Sequence, residues 1–219
     1  MSLLTESEAK KIIAEKALTG GVYHIPPGQI LTPSARAAFT EKNITVKASG
    51  MAIIQNGEKP EHMTHLYGDV LVEKDHPRIA MRGMIDYLES EIICVQLRHT
   101  HIRDELQEII NFLRKIMRCE VTGKALEEIT LQGMTPGELR EHSHHTTKYY
   151  GISHFLPSDT FGSCVADLNR LRTITRQTEL AAYRALKDEN RNDIIQALNR
   201  LSSLFWIMMV KERKGGEWI

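Results

Sequence analysis

The most regular pattern in the chain is an apolar stripe within residues 192–211, "NDIIQALNRLSSLFWIMMVK". Its apolar positions are Ile194, Leu198, Leu201, Phe205 and Met208. Their steps of four and three predict one amphipathic helix with this stripe facing a core. Asn199, Ser203 and Trp206 have the same spacing, so they share a second face of that helix. A helix this apolar would carry more leucine at such positions, so the polar face calls for an explanation.

Helical spacing recurs in four other stretches beyond about residue 75. They are residues 77–98, 103–118, 135–150 and 164–187. The connections between the five stretches are short, which favours antiparallel packing of neighbouring helices. The pattern therefore predicts an all-α domain over residues 61–219, built as a five-helix antiparallel bundle.

Residues 1–60 differ from the rest because they hold nearly all of the glycine and proline turn signals. Thr5 and Glu8 have the spacing of a capping box at a helix start, and Thr32 followed by Pro33 marks a second start. "ITVKAS" and "MAIIQ" are short β-like runs on either side of a glycine turn. This region is predicted to be a small mixed α/β appendage.

The composition narrows the classes of partner. Lysine plus arginine and aspartate plus glutamate number 28 each among 219 residues, so the charge gives no argument for a nucleic-acid or membrane partner. No apolar run approaches the ~20 residues that span a bilayer, and no secretory signal is evident. Cys94, Cys119 and Cys164 are widely spaced and form no Cys-x-x-Cys. We therefore expect a cytoplasmic protein with reduced cysteines.

Two of the predicted helices carry a charged face. The positions are Arg172, Arg176, Glu179 and Tyr183 on one helix, and Arg78, Arg82, Asp86 and Glu89 on the other. One interpretation is a solvated face with ion pairs between successive turns. The other is a shared cleft in which arginines bind phosphate, carboxylates orient them or hold a metal, and Asn199 binds a ribose or base edge. Periodicity alone leaves both open.

The histidines raise the question of a metal site. His62 and His65 are three residues apart, as are His142 and His145, and such pairs can bind zinc. No further ligands follow at a standard spacing, and no cysteine is near either pair, so we expect no metal there. The sequence also has no nucleophile elbow, Walker loop or dinucleotide fingerprint. Residue patterns alone therefore predict a helical bundle with a polar cleft.

Three separated segments together resemble the ATP:cob(I)alamin adenosyltransferases: "KDHPRIAMRGMIDYLESEI", "LNRLRTITRQTEL" and "RNDIIQALNRLSSLFWIMM". The segments "LTPSAR" and "HFLP" bring the resemblance closest to the ethanolamine-utilisation branch of that family. The resemblance extends over nearly the whole chain. It implies a trimer of helical bundles with active sites between subunits. It also implies transfer of the 5′-deoxyadenosyl group of ATP to cob(I)alamin, with Mg²⁺ as the accompanying ion.

The resemblance implies roles for residues on three of the predicted helices. Arg172, Arg176 and Glu179 match an arginine-rich catalytic motif, with the two arginines contacting the polyphosphate of ATP. Asn199, within "LNRLSS", matches an asparagine that contacts ATP. Asp86 matches a carboxylate that pairs with an arginine of the neighbouring subunit, here Arg172.

The resemblance also assigns residues outside those helices. Thr64 and Lys74 match a phosphate-binding segment. His154 and Phe155 match the position that closes the lower face of the corrin ring. We expect Phe155 to supply an apolar wall there, with His154 held away from the cobalt by a hydrogen bond.

The departures from the family pattern keep other functions open. Many ethanolamine-branch enzymes carry a His/Cys metal motif before the segment at Thr64, where this sequence has "NGEKPEHM", so we expect no cluster of that type. Gln177, Leu180 and Ser203 also differ from the family motifs. A non-catalytic corrinoid-binding escort, or a compartment-associated structural protein docking through residues 1–60, is therefore an alternative. As an enzyme, the protein is expected to work with a reductase and a cobalamin-dependent lyase, with association with a bacterial microcompartment left open.

Overall fold

The computed structural model describes residues 2–15, 18–25, 29–48, 51–53, 59–68, 70–127 and 130–215. The chain divides into two compact units, Met1–His76 and Pro77–Ile219. The sequence predicts the boundary between the two units after residue 60, whereas the structure has it after His76. The observed boundary lies later in the chain because residues 63–67 and 70–73 form two strands of the sheet in the first unit, which the change in residue pattern did not indicate.

The first unit is a mixed α/β structure, as predicted. Its strands are β1 (Ser2–Leu4), β2 (Gly21–Ile25), β3 (Gln29–Leu31), β4 (Ile44–Ala48), β5 (Met51–Ile53), β6 (Met63–Tyr67) and β7 (Val70–Glu73), and its helices are α1 (Glu6–Glu15) and α2 (Pro33–Thr40). Five strands form one sheet in the order β2-β4-β5-β7-β6, and β1 pairs with β3. The β1–β3 and β2–β4 pairs are parallel, whereas the other three are antiparallel. The ends of the predicted runs "ITVKAS" and "MAIIQ" lie outside the described residues.

Both predicted helix starts in this unit have the expected caps. The backbone N–H of Thr5 donates to Glu8 Oε2 at 2.8 Å, and the N–H of Glu8 donates to Thr5 Oγ1 at 3.5 Å, which completes a capping box. The Thr32 hydroxyl accepts from the N–H of Ala35 at 3.2 Å, with Pro33 at the first helical position. These caps satisfy N–H groups that a helix start otherwise leaves without a partner.

The second unit is the predicted helical bundle. Its helices are α3 (Pro77–Arg98), α4 (Arg103–Thr122), α5 (Pro136–His144), α6 (Thr146–Tyr150), α7 (Gly162–Leu186) and α8 (Asn192–Lys214). The single helix predicted for residues 135–150 is two short helices, because His145 leaves the helical region of backbone angles at φ −121° and ψ 47°. The sequence "EHSHHTT" has no apolar stripe across this point that would hold one continuous helix together.

The core of the bundle lies between α3, α4, α7 and α8. The predicted stripe on α8 is confirmed, since all five of its apolar side chains are fully buried: Ile194, Leu198, Leu201, Phe205 and Met208. They pack with side chains such as Leu88 of α3, Leu106 of α4 and Leu171 of α7, which are also fully buried. Within the described chain, none of the helices combines the length and apolar character that crossing a membrane requires.

The charged face of α3 has a structural role at its first two positions. Arg78 Nε is 2.5 Å from Glu120 Oε1, and Arg82 Nε is 2.7 Å from Glu120 Oε2. The Glu120 side chain is fully buried, and the two guanidinium groups provide the ion-pair partners that a buried carboxylate requires. Glu89 is paired with Arg114 of α4 at 2.5 Å. Arg78 and Arg82 therefore join α3 to α4 through a buried ion-pair cluster, whereas Glu89 and Arg114 form a more exposed pair between the same two helices.

Candidate active site

A cleft of about 600 Å³ opens in the second unit beside α7 and α8. Residues from α7, from α8 and from the connection before α7 line it, among them Arg172, Arg176, Asn199, Ser203, Trp206 and Phe155. Asn199, Ser203 and Trp206 are the polar face noted in the sequence of α8. That face is therefore one wall of a cleft, while the opposite face of the helix fills the core.

Two arginines from successive turns of α7 give the cleft a positive wall. Desolvation lowers the pKa of Arg172, and the charge of Arg176 lowers it further. Within the described residues, neither guanidinium has a carboxylate partner, and that of Arg172 lies 5.7 Å from the centre of the Trp206 ring. Two neighbouring cations without a counterion, one of them half-buried, favour the binding of a polyanion between them.

A chain of hydrogen bonds fixes the amide of Asn199. Its Nδ2 donates to Glu179 Oε1 at 2.8 Å, and Arg200 donates to its Oδ1. Glu179 does not itself line the cleft, so it acts on the site through Asn199. Desolvation and then the charge of Arg140 lower the pKa of Arg200, whereas Glu179 opposes this effect. The amide is thus oriented with one N–H and one oxygen lone pair left for a ligand.

An aromatic wall adjoins the arginines; it is formed by His154, Phe155 and Trp206 and is supported by Phe161, which packs against Phe155. The imidazole of His154 stacks on the Trp206 ring at 5.3 Å, and Phe155 lies 4.8 Å from the same ring and 5.3 Å from Phe161. His154 Nε2 is 3.3 Å from the carbonyl oxygen of His144, which is the kind of hydrogen bond expected for this ring. The cleft therefore joins a positively charged wall to an aromatic surface.

Three residues assigned from the sequence are not among the residues that line the cleft. Asp86 is exposed on α3, and within the described chain it forms no ion pair with Arg172. Thr64 is on β6, and Lys74, just after β7, pairs with Glu61 at 3.1 Å. Thr64 and Lys74 belong to the first unit. The roles of these three residues in the site remain predictions.

The two histidine pairs have ordinary polar surroundings. His62 is exposed, and His65 Nδ1 is 3.0 Å from a backbone carbonyl oxygen. His142 Nδ1 is 2.9 Å from the Tyr150 hydroxyl, and His145 is exposed. In the part of the chain that the structure describes, neither pair belongs to a group of three side chains able to ligate one metal ion.

Two residues of the cleft have no role assigned from the sequence. Arg200 and Trp206 interrupt the polar and apolar order of α8, and both line the cleft. Their positions beside Asn199 on the helix were the available signal. His144 and Leu156 also line the cleft but carried no signal, because only the packing of the end of α5 and the path of the connection before α7 bring them there.

The chain is similar in sequence and in fold to known adenosyltransferases. Residues 54–212 match the model of the cobalamin adenosyltransferase family. The corrinoid adenosyltransferases EutT of Salmonella typhimurium and Escherichia coli K12 are 28% and 27% identical to this chain, over 87% of it and 85% of their own length. Two variants of a PduO-type ATP:corrinoid adenosyltransferase from Lactobacillus reuteri, each solved with cobalamin and ATP, are 23% identical with a TM-score of 0.56. They cover 71% and 74% of this chain and 89% and 90% of their own, and they share its fold.

Proposed function

The chain belongs to the cobalamin adenosyltransferase family, and on that basis we propose that it transfers the 5′-deoxyadenosyl group of ATP to cob(I)alamin, forming adenosylcobalamin. The observation that carries the proposal is that one cleft combines an aromatic wall with two arginines that have no carboxylate partner among the described residues. The relatives named EutT support a role in ethanolamine utilisation. The expected reductase and lyase partners remain predictions.

The chemistry requires little acid or base catalysis from the protein. Co(I) is a strong nucleophile, so it attacks the ribose 5′-carbon without a general base. A cobalt–carbon bond forms as the bond from that carbon to oxygen breaks, and the polyphosphate leaves with the electron pair. The protein must hold the two reactants in line and stabilise the leaving charge. We assign this stabilisation to Arg172 and Arg176, because both line the cleft.

The residues of the cleft do not build a Mg²⁺ site on their own. Mg²⁺ prefers oxygen ligands and is usually held by one or two carboxylates together with substrate phosphates. The described lining offers the Asn199 amide and the hydroxyls of Ser143, Ser202 and Ser203, but no carboxylate. We therefore assign Mg²⁺ only as an ion that enters bound to ATP.

The direct test of the proposed function is a spectroscopic assay. The purified protein is incubated with ATP, Mg²⁺ and chemically reduced cobalamin, and the absorption spectrum is followed. Conversion of the Co(I) spectrum to that of adenosylcobalamin is expected, together with release of polyphosphate. Binding of the corrinoid without this conversion would instead identify a non-catalytic escort.

The first prediction concerns Asn199. The Asn199→Ala variant removes an oriented amide from the ATP site, so the KM for ATP should rise about fivefold, the effect of one hydrogen bond of about 1 kcal/mol. Steady-state kinetics at saturating cob(I)alamin measure the change. The matched control is Asn192→Ala, an exposed asparagine at the start of the same helix. An unchanged KM in the Asn199 variant would contradict the assignment.

The second prediction concerns assembly. We propose a homotrimer in which Asp86 of one subunit pairs with Arg172 of the next. The support is that Asp86 is exposed, while Arg172 is half-buried and has no carboxylate partner in the described chain. A lone surface pair contributes only about 0–1 kcal/mol, so the pair matters only if it completes a site between subunits.

Light scattering should give the mass of a trimer. Asp86→Ala and Arg172→Ala should each have low activity alone. When the two variants are dissociated, mixed and reassembled, part of the activity should return. Some interfaces then contain the native Asp86 of one subunit and the native Arg172 of the other. A fully active monomer would rule out the shared site, and mixing without recovery would rule out the pair.

A further inference from the structure

Three side chains of the kind that ligate transition metals converge at one end of the bundle. His101 lies on the short 3₁₀ helix Thr100–Ile102, Cys164 in the first turn of α7 and Glu212 in the last turn of α8. Nε2 of His101 is 3.1 Å from Oε2 of Glu212 and 4.0 Å from Sγ of Cys164. All three ligand atoms lie within 4.8 Å of one another, and none of these residues lines the cleft.

The burial of the cluster is graded from core to solvent. Cys164 is 7% exposed, Glu212 is half-buried and the His101 side chain is 47% exposed. Burial, and then the charge of Glu212, raise the pKa of the Cys164 thiol to about 12. An ion could therefore enter from the side of His101 and reach a thiol that faces away from bulk water.

The charged neighbours of the cluster are already paired. Asp167 accepts hydrogen bonds from Arg98 at 3.0 and 3.1 Å, and its Oδ2 is 2.9 Å from His99 Nε2. Arg213, next to Glu212, places its guanidinium 4.2 Å from the centre of the Phe161 ring. In the described chain, by contrast, the side-chain polar contacts that the structure shows for Cys164 and His101 are within the cluster.

We propose that His101, Cys164 and Glu212 form a binding site for one divalent transition-metal ion of the zinc class. Metal–ligand distances of about 2.0–2.3 Å place neighbouring ligand atoms of a tetrahedral site about 3.3–3.7 Å apart. The observed 3.1 and 4.0 Å lie on either side of that range, so small side-chain movements suffice. Thiolate and imidazole select zinc-like ions over Mg²⁺ and Ca²⁺, which prefer oxygen.

The site has three protein ligands, so water completes the coordination. The thiolate is the form of cysteine that ligates, so the thiol proton passes to the solvent on binding. The ion would join the 3₁₀ helix before α4, the start of α7 and the end of α8. Phe161 precedes Cys164 by three residues, and Arg213 follows Glu212. The ion would therefore cross-link the elements that support the aromatic wall of the cleft.

This site was not expected from the sequence, where motif spacing argued against a metal. His101 and Cys164 are 63 residues apart, and only the fold brings them together with Glu212. The proposal also goes beyond the adenosyl transfer reaction, because it requires neither ATP nor corrinoid. It is therefore tested in their absence.

The test uses Co²⁺ as a spectroscopic probe. Co²⁺ is titrated into the purified full chain, freed of metal with a chelator and kept reduced and free of oxygen. A Cys94→Ser/Cys119→Ala background leaves Cys164 as the sole thiol. One equivalent should bind with a thiolate-to-cobalt charge-transfer band and the visible bands of four-coordinate Co²⁺, and Zn²⁺ should displace it. The melting temperature should rise with Zn²⁺.

Substitutions in the cluster test whether Cys164 and His101 bind the Co²⁺ ion. In the same background, Cys164→Ser should abolish the charge-transfer band. The His101→Ala substitution changes an exposed residue, so the variant protein should still fold. It should bind Co²⁺ at least about tenfold more weakly. Circular dichroism of the metal-free variants checks their folding. The proposal is overturned if no saturable binding occurs, or if either variant binds Co²⁺ as tightly as the background protein.

Discussion

The Arg172→Ala and Arg176→Ala variants should each have a turnover at saturating ATP that is about a hundredfold to a thousandfold lower than that of the wild type. The loss of one preorganised contact to developing charge costs about 2.7–4 kcal/mol in the transition state. Both side chains line the cleft, and within the described residues neither has a carboxylate to occupy it. Their charge is therefore available to the leaving polyphosphate. The measurement is the rate of adenosylcobalamin formation from chemically reduced cob(I)alamin.

The same helix supplies a matched control. Arg184→Ala removes an exposed arginine of α7 that does not line the cleft, so turnover should stay near the wild-type value. Arg176→Lys keeps the charge but loses the planar fork that binds two phosphate oxygens, so it should recover only part of the rate. Near wild-type turnover in both alanine variants would show that the phosphate site is elsewhere.

The sequence predicted those parts of the site that one helix places on one face. Asn199, Ser203 and Trp206 share a face through helical spacing alone, as do Arg172 and Arg176. Because a helix fixes its own periodicity, these groupings needed no knowledge of the fold. They lie in one cleft because the apolar faces of α7 and α8 pack together in the core.

Contacts between distant segments could not be predicted in this way. Arg78 and Arg82 share a face of α3, but their partner Glu120 is at the far end of α4 and is buried. Nothing in the spacing of charges marks one carboxylate as buried. The hydrogen bond from Asn199 to Glu179 likewise depends on how α7 and α8 are aligned along their length.

The Phe155→Ala variant should slow turnover from Co(II)alamin at least about ten times more than turnover from pre-reduced Co(I). Reduction becomes easier when the lower axial ligand of Co(II) is removed, and an apolar ring does this by excluding water and the cofactor's own base. Phe155 is half-buried against Trp206 and Phe161, so it presents a supported apolar surface beside the arginines. Only the reaction that starts from Co(II) depends on this exclusion.

Both starting states are measured on each variant, with a reduced flavin supplying one electron to Co(II) and a strong chemical reductant generating Co(I). Phe155→Leu keeps much of the apolar volume, so its rate from Co(II) should lie between those of the wild type and of the alanine variant.

The carbonyl oxygen of His144 can only accept a hydrogen bond, so Nε2 of His154 carries the hydrogen and Nδ1 alone could approach cobalt. Stacking on Trp206 restrains that ring. Equal slowing from both states, or a Co(II) resonance spectrum showing nitrogen from His154, would exclude this arrangement.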